Sequence, residues 1–354
     1  MSDKVIVKYF NIHDLVKIKV ETNLNQKLDT IMFQLREFEI FSLADQNVDI
    51  FIYDYYRCPV LNNPIVLSEY YFYENNYLNI PNLKFCFNFI DTPFKLYCDI
   101  FVIPLSMLVE LVLLKQRHSL LHSAAVQYKG KNYLLPAFGG VGKTTTISEI
   151  ITHGGKLYGD DMVIISGDKI LSYPLDFTIY PYHLGFLKIN DKRIIYQFKK
   201  TEILNKTTDY LKKYKNNVFK LMILIFDHFK IPYINISPKY LFGENCIVKK
   251  GLINEIYFIS KIKNNFPEIT IDQIDSDNLA EICANILLQE WHGSMSILYT
   301  YSGLSTFSLN SLFIKIREIF KNTFNNYKCH QMIIPYDLSN INYQKQLISY
   351  LDNL

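Results

Sequence analysis

One tryptophan in 354 residues, and six cysteines with no C-x-x-C pair among them, set the first limits on this chain. Cys58, Cys86, Cys98, Cys246, Cys283 and Cys329 are scattered. That spacing fits reduced core thiols in a cytosolic protein better than a zinc site or a disulfide frame. A surplus of one charge is also missing. Lys and Arg number 37 against 34 Asp and Glu, and a net charge of +3 leaves no electrostatic footprint for nucleic acid. No apolar run is long enough for a membrane. The longest, "IFVIPLSMLVELVLLK", is broken by Pro104 and Glu110 and falls short of the ~20 residues that a span requires. The opening "MSDKVIVKYF" lacks the apolar stretch of a signal peptide, so a cytoplasmic protein is expected. Internal repeats and low-complexity tails are absent. His228, His292 beside Trp291, and His330 lack H-x-x-x-H metal spacing and read as structural.

What is present is enough apolar material for one large domain or two ordinary ones. Residues 1 to 104 read mostly as short strands, among them "VDIFIYDYY", "YYFYENNYLNI", "LKFCFNFI" and "FKLYCDIFVI", rich in aromatic and β-branched residues. "LNQKLDTIMFQLREF" is the one helix expected in that half. The tyrosines of "YDYYR" fit a packed strand better than a peptide groove. From Ser106 a helical pattern is expected through about Leu121, and another across 190 to 235. A strand pair is expected around "CIVKKGLINEIYFISK" with Gly251 near its turn, followed by a mainly helical C-terminal third.

The stretch "AFGGVGKTTT", residues 137 to 146, fits [AG]-x-x-x-x-G-K-[ST]. Gly139, Gly140 and Gly142 let backbone amides turn inward around an oxyanion where a Cβ would obstruct them. In such loops the lysine, here Lys143, reaches the β- and γ-phosphates, and the hydroxyl of Thr144 ligates Mg²⁺. Ile147, Ile150 and Ile151 then fall on one helical face, with Gly154 and Gly155 as a stop. The positive end of that helix adds to the anion site. We therefore assign nucleotide binding to Phe138, Gly139, Gly140, Val141, Gly142, Lys143, Thr144 and Thr145.

"GGKLYGDDMVII" follows, and a length argument places it. A helix from Lys143 to His153 extends ~16 Å at 1.5 Å per residue. The return from Gly155 to Asp160 covers roughly 17 to 20 Å at ~3.3 Å per residue. The chain should thus come back level with the phosphates carrying Asp160 and Asp161. Beside a Mg-nucleotide, one carboxylate can serve the metal and the other accept the proton of an attacking hydroxyl. A solvated Asp-Asp turn is the other reading. Ahead of the loop, "SAAVQYKGKNYLLPA" predicts a hairpin turning at Lys129-Gly130, so the strand feeding the loop runs antiparallel to its predecessor. The parallel core of motors and small GTPases has no such hairpin.

Residues 118 to 170, in particular "LLHSAAVQYKGKNYLLPAFGGVGKTTTISEIITHGGKLYGDDMVII", resemble the catalytic core of the HPr kinase family. The likeness is greater to HPr-kinase-like proteins found beside genes for ribosomally made, modified peptides. "GKTT" and "GDD" are more distantly similar to the ATP-dependent phosphoenolpyruvate carboxykinases of the same fold. His122 precedes Lys143 by 21 positions and Asp160 follows it by 17, as expected in the family. The resemblance implies that Asp160 is the general base toward a serine hydroxyl, that Asp161 and Thr144 serve the metal, and that His122 lies near the reacting phosphate. From the residues alone, His122 reads as a structural histidine at a strand start. The Glu-containing, Gly-rich signature and the basic segment of HPr kinases have no counterpart in "SYPLDFTIYPYHLGFLKINDKRII". Phosphorylase activity, HPr as substrate and a hexamer are therefore not carried over. Asp176, Lys192 and Arg193 are placed near the site by position only.

The fold class expected is α/β: a mixed-sheet P-loop kinase core of the HPr kinase/PEP carboxykinase type over 105–275, after a strand-rich lobe, 1–104, and before a mainly helical region, 276–354. The function expected is an ATP- and Mg²⁺-dependent serine kinase, with Asp160, Lys143 and His122 as catalytic residues. Its acceptor would be a peptide or small protein, with no nucleic acid and no membrane as partner and no oligomeric state assigned. A sugar or nucleoside kinase and a nucleotide-binding regulatory protein are the alternatives. "KLMILIFD", ending at Asp227, competes for the metal aspartate on pattern alone, but only Asp160 and Asp161 are placed by the helix-and-return geometry.

Overall fold

Strict alternation along the first strands dictates a sheet with one buried face. In β1 (Ile6–Ile12) and β2 (Val16–Thr22), Phe10, Ile12, Val16, Ile18 and Val20 are fully buried while their neighbours are not. The protein is described by a computed structural model over residues 5–23, 25–43, 47–185, 191–212, 220, 222, 233–263 and 267–353. Asp227 and His228 lie outside these residues. The N-terminal sheet adds β3 (Glu39–Ile40), β4 (Ile50–Asp54), β5 (Ile65–Ser68), β6 (Tyr71–Glu74), β7 (Tyr77–Ile80), β8 (Phe85–Asn88) and β9 (Phe94–Cys98). Its order is β3-β1-β2-β4-β9-β8-β7-β6-β5. Helix α1 (Asn25–Leu35) follows β2. Tyr53 stacks between Phe51 and Tyr97, with ring centroids 4.8 and 4.5 Å away, so the first two residues of "YDYYR" belong to a packed strand while Tyr55, Tyr56 and Arg57 follow its end.

The chain then passes through α2 (Leu105–Leu113) into the central sheet. Here β10 (Ser119–Tyr128) and β11 (Lys131–Pro136) form the expected hairpin. Lys129 and Gly130 both take positive φ, 47° and 81°, as a two-residue turn between twisted strands requires. After the loop come α3 (Lys143–Thr152), β12 (Lys156–Gly159), β13 (Met162–Ser166) and β14 (Lys169–Tyr173). A small ribbon of β15 (Phe177–Ile179) and β16 (Ile234–Ile236) stands apart, with α4 (Lys192–Leu211) between them in sequence. The last strands are β17 (Lys250–Leu252), β18 (Glu255–Ile262), β19 (Thr270–Gln273) and β20 (Cys329–Pro335). The sheet order is β17-β14-β13-β10-β11-β18-β20-β19, with β12 also on β10. Strands β11, β18 and β20 are mutually parallel and the rest antiparallel, so the sheet is mixed and the architecture α/β.

Two sequence expectations require correction. The helix from Ser106 does not reach Leu121: it stops at Leu113, and Ser119 already begins β10. The buried Glu110 ends the ambiguity, because its carboxylate accepts from Ser119 Oγ and Leu120 N–H, both at 2.6 Å. Burial pushes the Glu110 carboxyl up to about 8. The strands flanking Gly251 do not pair with each other; β17 joins β14, and β18 lies between β11 and β20. Gly251 serves close approach instead of a turn, since a Cβ there would stand 2.1 Å from Tyr158 Oη and 2.7 Å from Asn132 Nδ2. The C-terminal third is mainly helical, with helices Ser276–Glu290, Met295–Leu304, Leu309–Phe324 and Asn340–Asp352, and it also supplies β20, which lies between β18 and the edge strand β19.

Each face of the central sheet has its own core. One is shared with the N-terminal sheet, α2 and the helices between 276 and 324, and includes Val20, Leu108, Leu121, Val163, Leu287 and Trp291. The opposite core holds Val126, Leu135, Ile147, Phe198 and Leu347, and so packs α3, α4 and the C-terminal helix against the sheet.

Candidate active site

The loop leaves the carboxyl end of β11, where Ala137 still bridges Ile259 of β18. Gly140 and Gly142 take φ of +75° and +110°, conformations that bend the backbone back on itself before α3 starts at Lys143. A cavity of about 510 Å³ opens above the loop. Gly139, Gly140, Val141, Gly142, Lys143, Thr144 and Thr145 line it, together with Asp160 and Asp161. Phe138 does not; it is 45% exposed and meets Phe258 edge to face.

The return strand behaves as the length argument requires. β12 pairs with β10 and delivers Asp160 to α3, where the Thr144 hydroxyl donates to Asp160 Oδ2 at 2.9 Å. The other oxygen, Oδ1, is buried and has no hydrogen-bond partner among the described residues. Burial raises the Asp160 carboxyl to about 7, the neighbouring Asp161 charge adds to the rise, and Thr144 and Lys143 oppose it. Asp161 is more open, with 46% of its side chain exposed, and its Oδ1 lies 3.8 Å from Lys143 Nζ and 3.5 Å from His122 Nε2.

Lys143 is buried, and burial lowers its pKa against the pull of Asp161, Asp160 and Glu290. Its ammonium reaches the carbonyls of Ala137 and Phe138 at 3.1 and 3.3 Å, and His122 Nε2 at 2.7 Å. Burial pushes His122 down to about 4, with Asp161 raising and Lys143 lowering it, so the ring is neutral and accepts from the lysine. His122 is not at a strand start but four residues into β10.

Two charged residues enter the site without any signal in the sequence. Glu290, at the end of helix Ser276–Glu290, places Oε1 3.6 Å from His122 Nδ1. Burial and then Asp161 raise its carboxyl, with Lys143 opposing. Lys261, near the end of β18, lines the cavity beyond the loop. Of the residues placed by position alone, Asp176 lines the cavity and ion-pairs with Arg36 at 3.1 Å. Lys192 and Arg193 open α4 and do not line it; Arg193 Nε instead lies 3.7 Å from Asp191. Trp291 is buried, and His330 stacks on Tyr257 at 5.1 Å, so both are structural.

The donor set suits a hard cation shared with phosphate: Thr144 Oγ1, the unpartnered buried Asp160 Oδ1 and the open Asp161 carboxylate are all oxygens. The described residues form no cluster of three or more His, Cys, Asp or Glu able to hold a metal by themselves, and none of their helices is long and apolar enough to cross a membrane.

No protein-family model matches the chain, and no curated protein does. Among solved structures it is similar to the Hpr(Ser) kinase/phosphatase from Coxiella burnetii, at 9% identity over 66% of this chain and 96% of that one. The TM-score is 0.28.

Proposed function

We propose that the protein is an ATP-dependent kinase that transfers the γ-phosphate to a hydroxyl, with a serine of a peptide or small protein as acceptor. The observation that carries this reading is the meeting of Asp160, Asp161, Thr144 and Lys143 on one wall of the cavity above the loop. The serine-bearing acceptor rests on the resemblance of residues 118 to 170 to the HPr kinase family.

Loop amides and the positive end of α3 hold the phosphate chain, and Lys143 neutralises charge on its terminal groups. Mg²⁺, when bound through Thr144 and one of the aspartates, supplies further charge neutralisation. The other aspartate takes the proton of the acceptor hydroxyl as its oxygen bonds to the γ-phosphorus. The bond to the β–γ bridging oxygen breaks, and ADP leaves with that electron pair. Catalysis is then mainly alignment and electrostatics. The resemblance gives the base to Asp160 and the metal to Asp161. The 2.9 Å contact of Asp160 with Thr144 favours the reverse, with Asp160 beside the metal and the more exposed Asp161 toward the acceptor.

Purified protein, γ-labelled ATP, Mg²⁺ and a cell lysate separated into peptide, protein and small-molecule fractions test the reading. Label is expected in a peptide or small protein and is lost with either Asp160→Asn or Asp161→Asn. Substitution of the base lowers kcat at saturating Mg²⁺, whereas substitution of the metal ligand raises the Mg²⁺ concentration required. Label confined to small molecules overturns the acceptor and leaves a sugar or nucleoside kinase. Nucleotide binding without transfer to any fraction leaves a regulatory protein.

A further inference from the structure

The sheet order divides the cavity into two arms. From the loop after β11, the acidic pair lies on the β10 side, reached through β12 and β13. On the other side stand β18 and β20, parallel to β11, so their carboxyl ends open onto the same edge as the loop. Ligands of open α/β sheets collect at that edge. Ala137 is level with Ile259, which sets Lys261 two residues further out beside the loop. Across the register Lys261 faces Ile334, and Leu338 and Tyr343 complete this arm.

Lys261 differs from Lys143 in its company. It is exposed, no carboxylate stands within ion-pair distance of it among the described residues, and its ammonium lies over the Tyr336 ring at 5.2 Å. An uncompensated cation beside apolar side chains matches one part of a nucleotide: the junction where a phosphate charge meets the nucleoside. The arm is also firmly seated. Tyr343 hydrogen-bonds Thr146 on the first turn of α3, and Leu347 is buried in the core beneath.

We infer that Lys261 binds the α-phosphate of the nucleotide and that Ile334 and Leu338 carry its nucleoside. This rests on the kinase reading in one respect: the γ-phosphate faces Asp160 and Asp161, so the chain of phosphates must run away from them. That direction leads to β18 and β20. The opposite arm, with Phe33, Leu175, Asp176 and Thr178, is left to the acceptor.

Equilibrium binding of ADP and of inorganic pyrophosphate, each with Mg²⁺, tests the inference without any phosphotransfer assay. Lys261→Ala is expected to weaken ADP about tenfold, the loss of one charge-assisted phosphate contact, and to leave pyrophosphate within about twofold. Lys261→Arg should retain most of the ADP affinity. Leu338→Asp should weaken ADP and spare pyrophosphate in the same way. Lys328→Ala removes an equal charge next to the amino end of β20, on the far edge of the sheet, and should change neither. ADP affinity in Lys261→Ala equal to that in Lys328→Ala overturns the inference. Equal weakening of ADP and pyrophosphate moves Lys261 to the terminal phosphates and overturns it too. If the wild-type protein binds neither ligand, the kinase reading itself fails. Binding of ADP that is insensitive to Lys261 and Leu338 leaves the kinase reading standing and removes only the arm.

Discussion

Lys143 is a donor only, so the His122 nitrogen it meets at 2.7 Å must carry no proton. The single proton of the neutral ring then belongs on Nδ1. That atom is buried without a hydrogen-bond partner among the described residues, and Glu290 Oε1 stands 3.6 Å from it. Glu290 is therefore a positioning residue: it attracts the Nδ1 proton, fixes the tautomer, and through His122 orients the lysine of the loop. Glu290→Ala is expected to mix the two tautomers, seen in the ¹⁵N shifts of the His122 ring. Phosphotransfer should fall about tenfold, as for other lost orienting partners. Glu290→Gln should restore both readouts, because its amide oxygen still accepts. An unchanged ¹⁵N pattern in Glu290→Ala would remove Glu290 from this role. Nothing in the sequence marked this residue. The loop and the aspartates announce themselves because their spacing is set by one helix and one strand. Glu290 reaches His122 only through the packing of a helix from the far end of the chain, and local spacing holds no record of that.

Among the elements, those decided by short-range chemistry were legible. The hairpin before the loop follows from Lys129-Gly130, α3 from its isoleucine face, and β12 from simple length. β10 was not legible in its first half. It is buried on both faces, so "SLL" at its start carries no alternation, and an apolar stretch of that kind reads equally as the end of a helix. Only the tertiary contact with Glu110 separates the two. Gly251 misled for a related reason: glycine signals a turn and a close approach with the same letter. Its true role yields a test. Gly251→Ala would drive a methyl group to 2.1 Å from Tyr158 Oη, which itself donates to Asn132 Oδ1 at 2.9 Å. The cost expected in chemical denaturation is about 1–3 kcal/mol, the range for overpacked interiors. In a Tyr158→Phe background the nearest obstacle is gone, so the same substitution should cost measurably less. Equal costs in both backgrounds would mean that Gly251 is not held by this contact.

Across the whole molecule, the organisation depends on a core that no segment builds alone. Val20 in the N-terminal sheet, Leu108 in α2, Val163 in the central sheet and Trp291 after helix Ser276–Glu290 belong to one continuous buried cluster. The candidate site is built across this arrangement. β10 brings His122, the return after α3 brings the aspartates, and the helix behind them brings Glu290. An N-terminal sheet that folded independently would leave that cluster half exposed, at about 25 cal/mol per Å² of apolar surface, so the two sheets should unfold as one unit. The lone tryptophan makes this measurable, since its fluorescence reports the C-terminal side of the cluster while far-UV circular dichroism reports all the strands. The two denaturation curves are expected to coincide. Val20→Asp, which places an unpaired charge in a fully buried position on β2, should shift both midpoints together to lower denaturant, and ADP binding should be lost over the same range. A Trp291 transition that stays at its wild-type midpoint while part of the dichroism signal melts early would show that the N-terminal sheet is a separate unit. The wall of the cavity formed by Lys143, Thr144, Asp160 and Asp161 would then stand without it, and the side beside Phe33 would be the part of the cavity that disappears first.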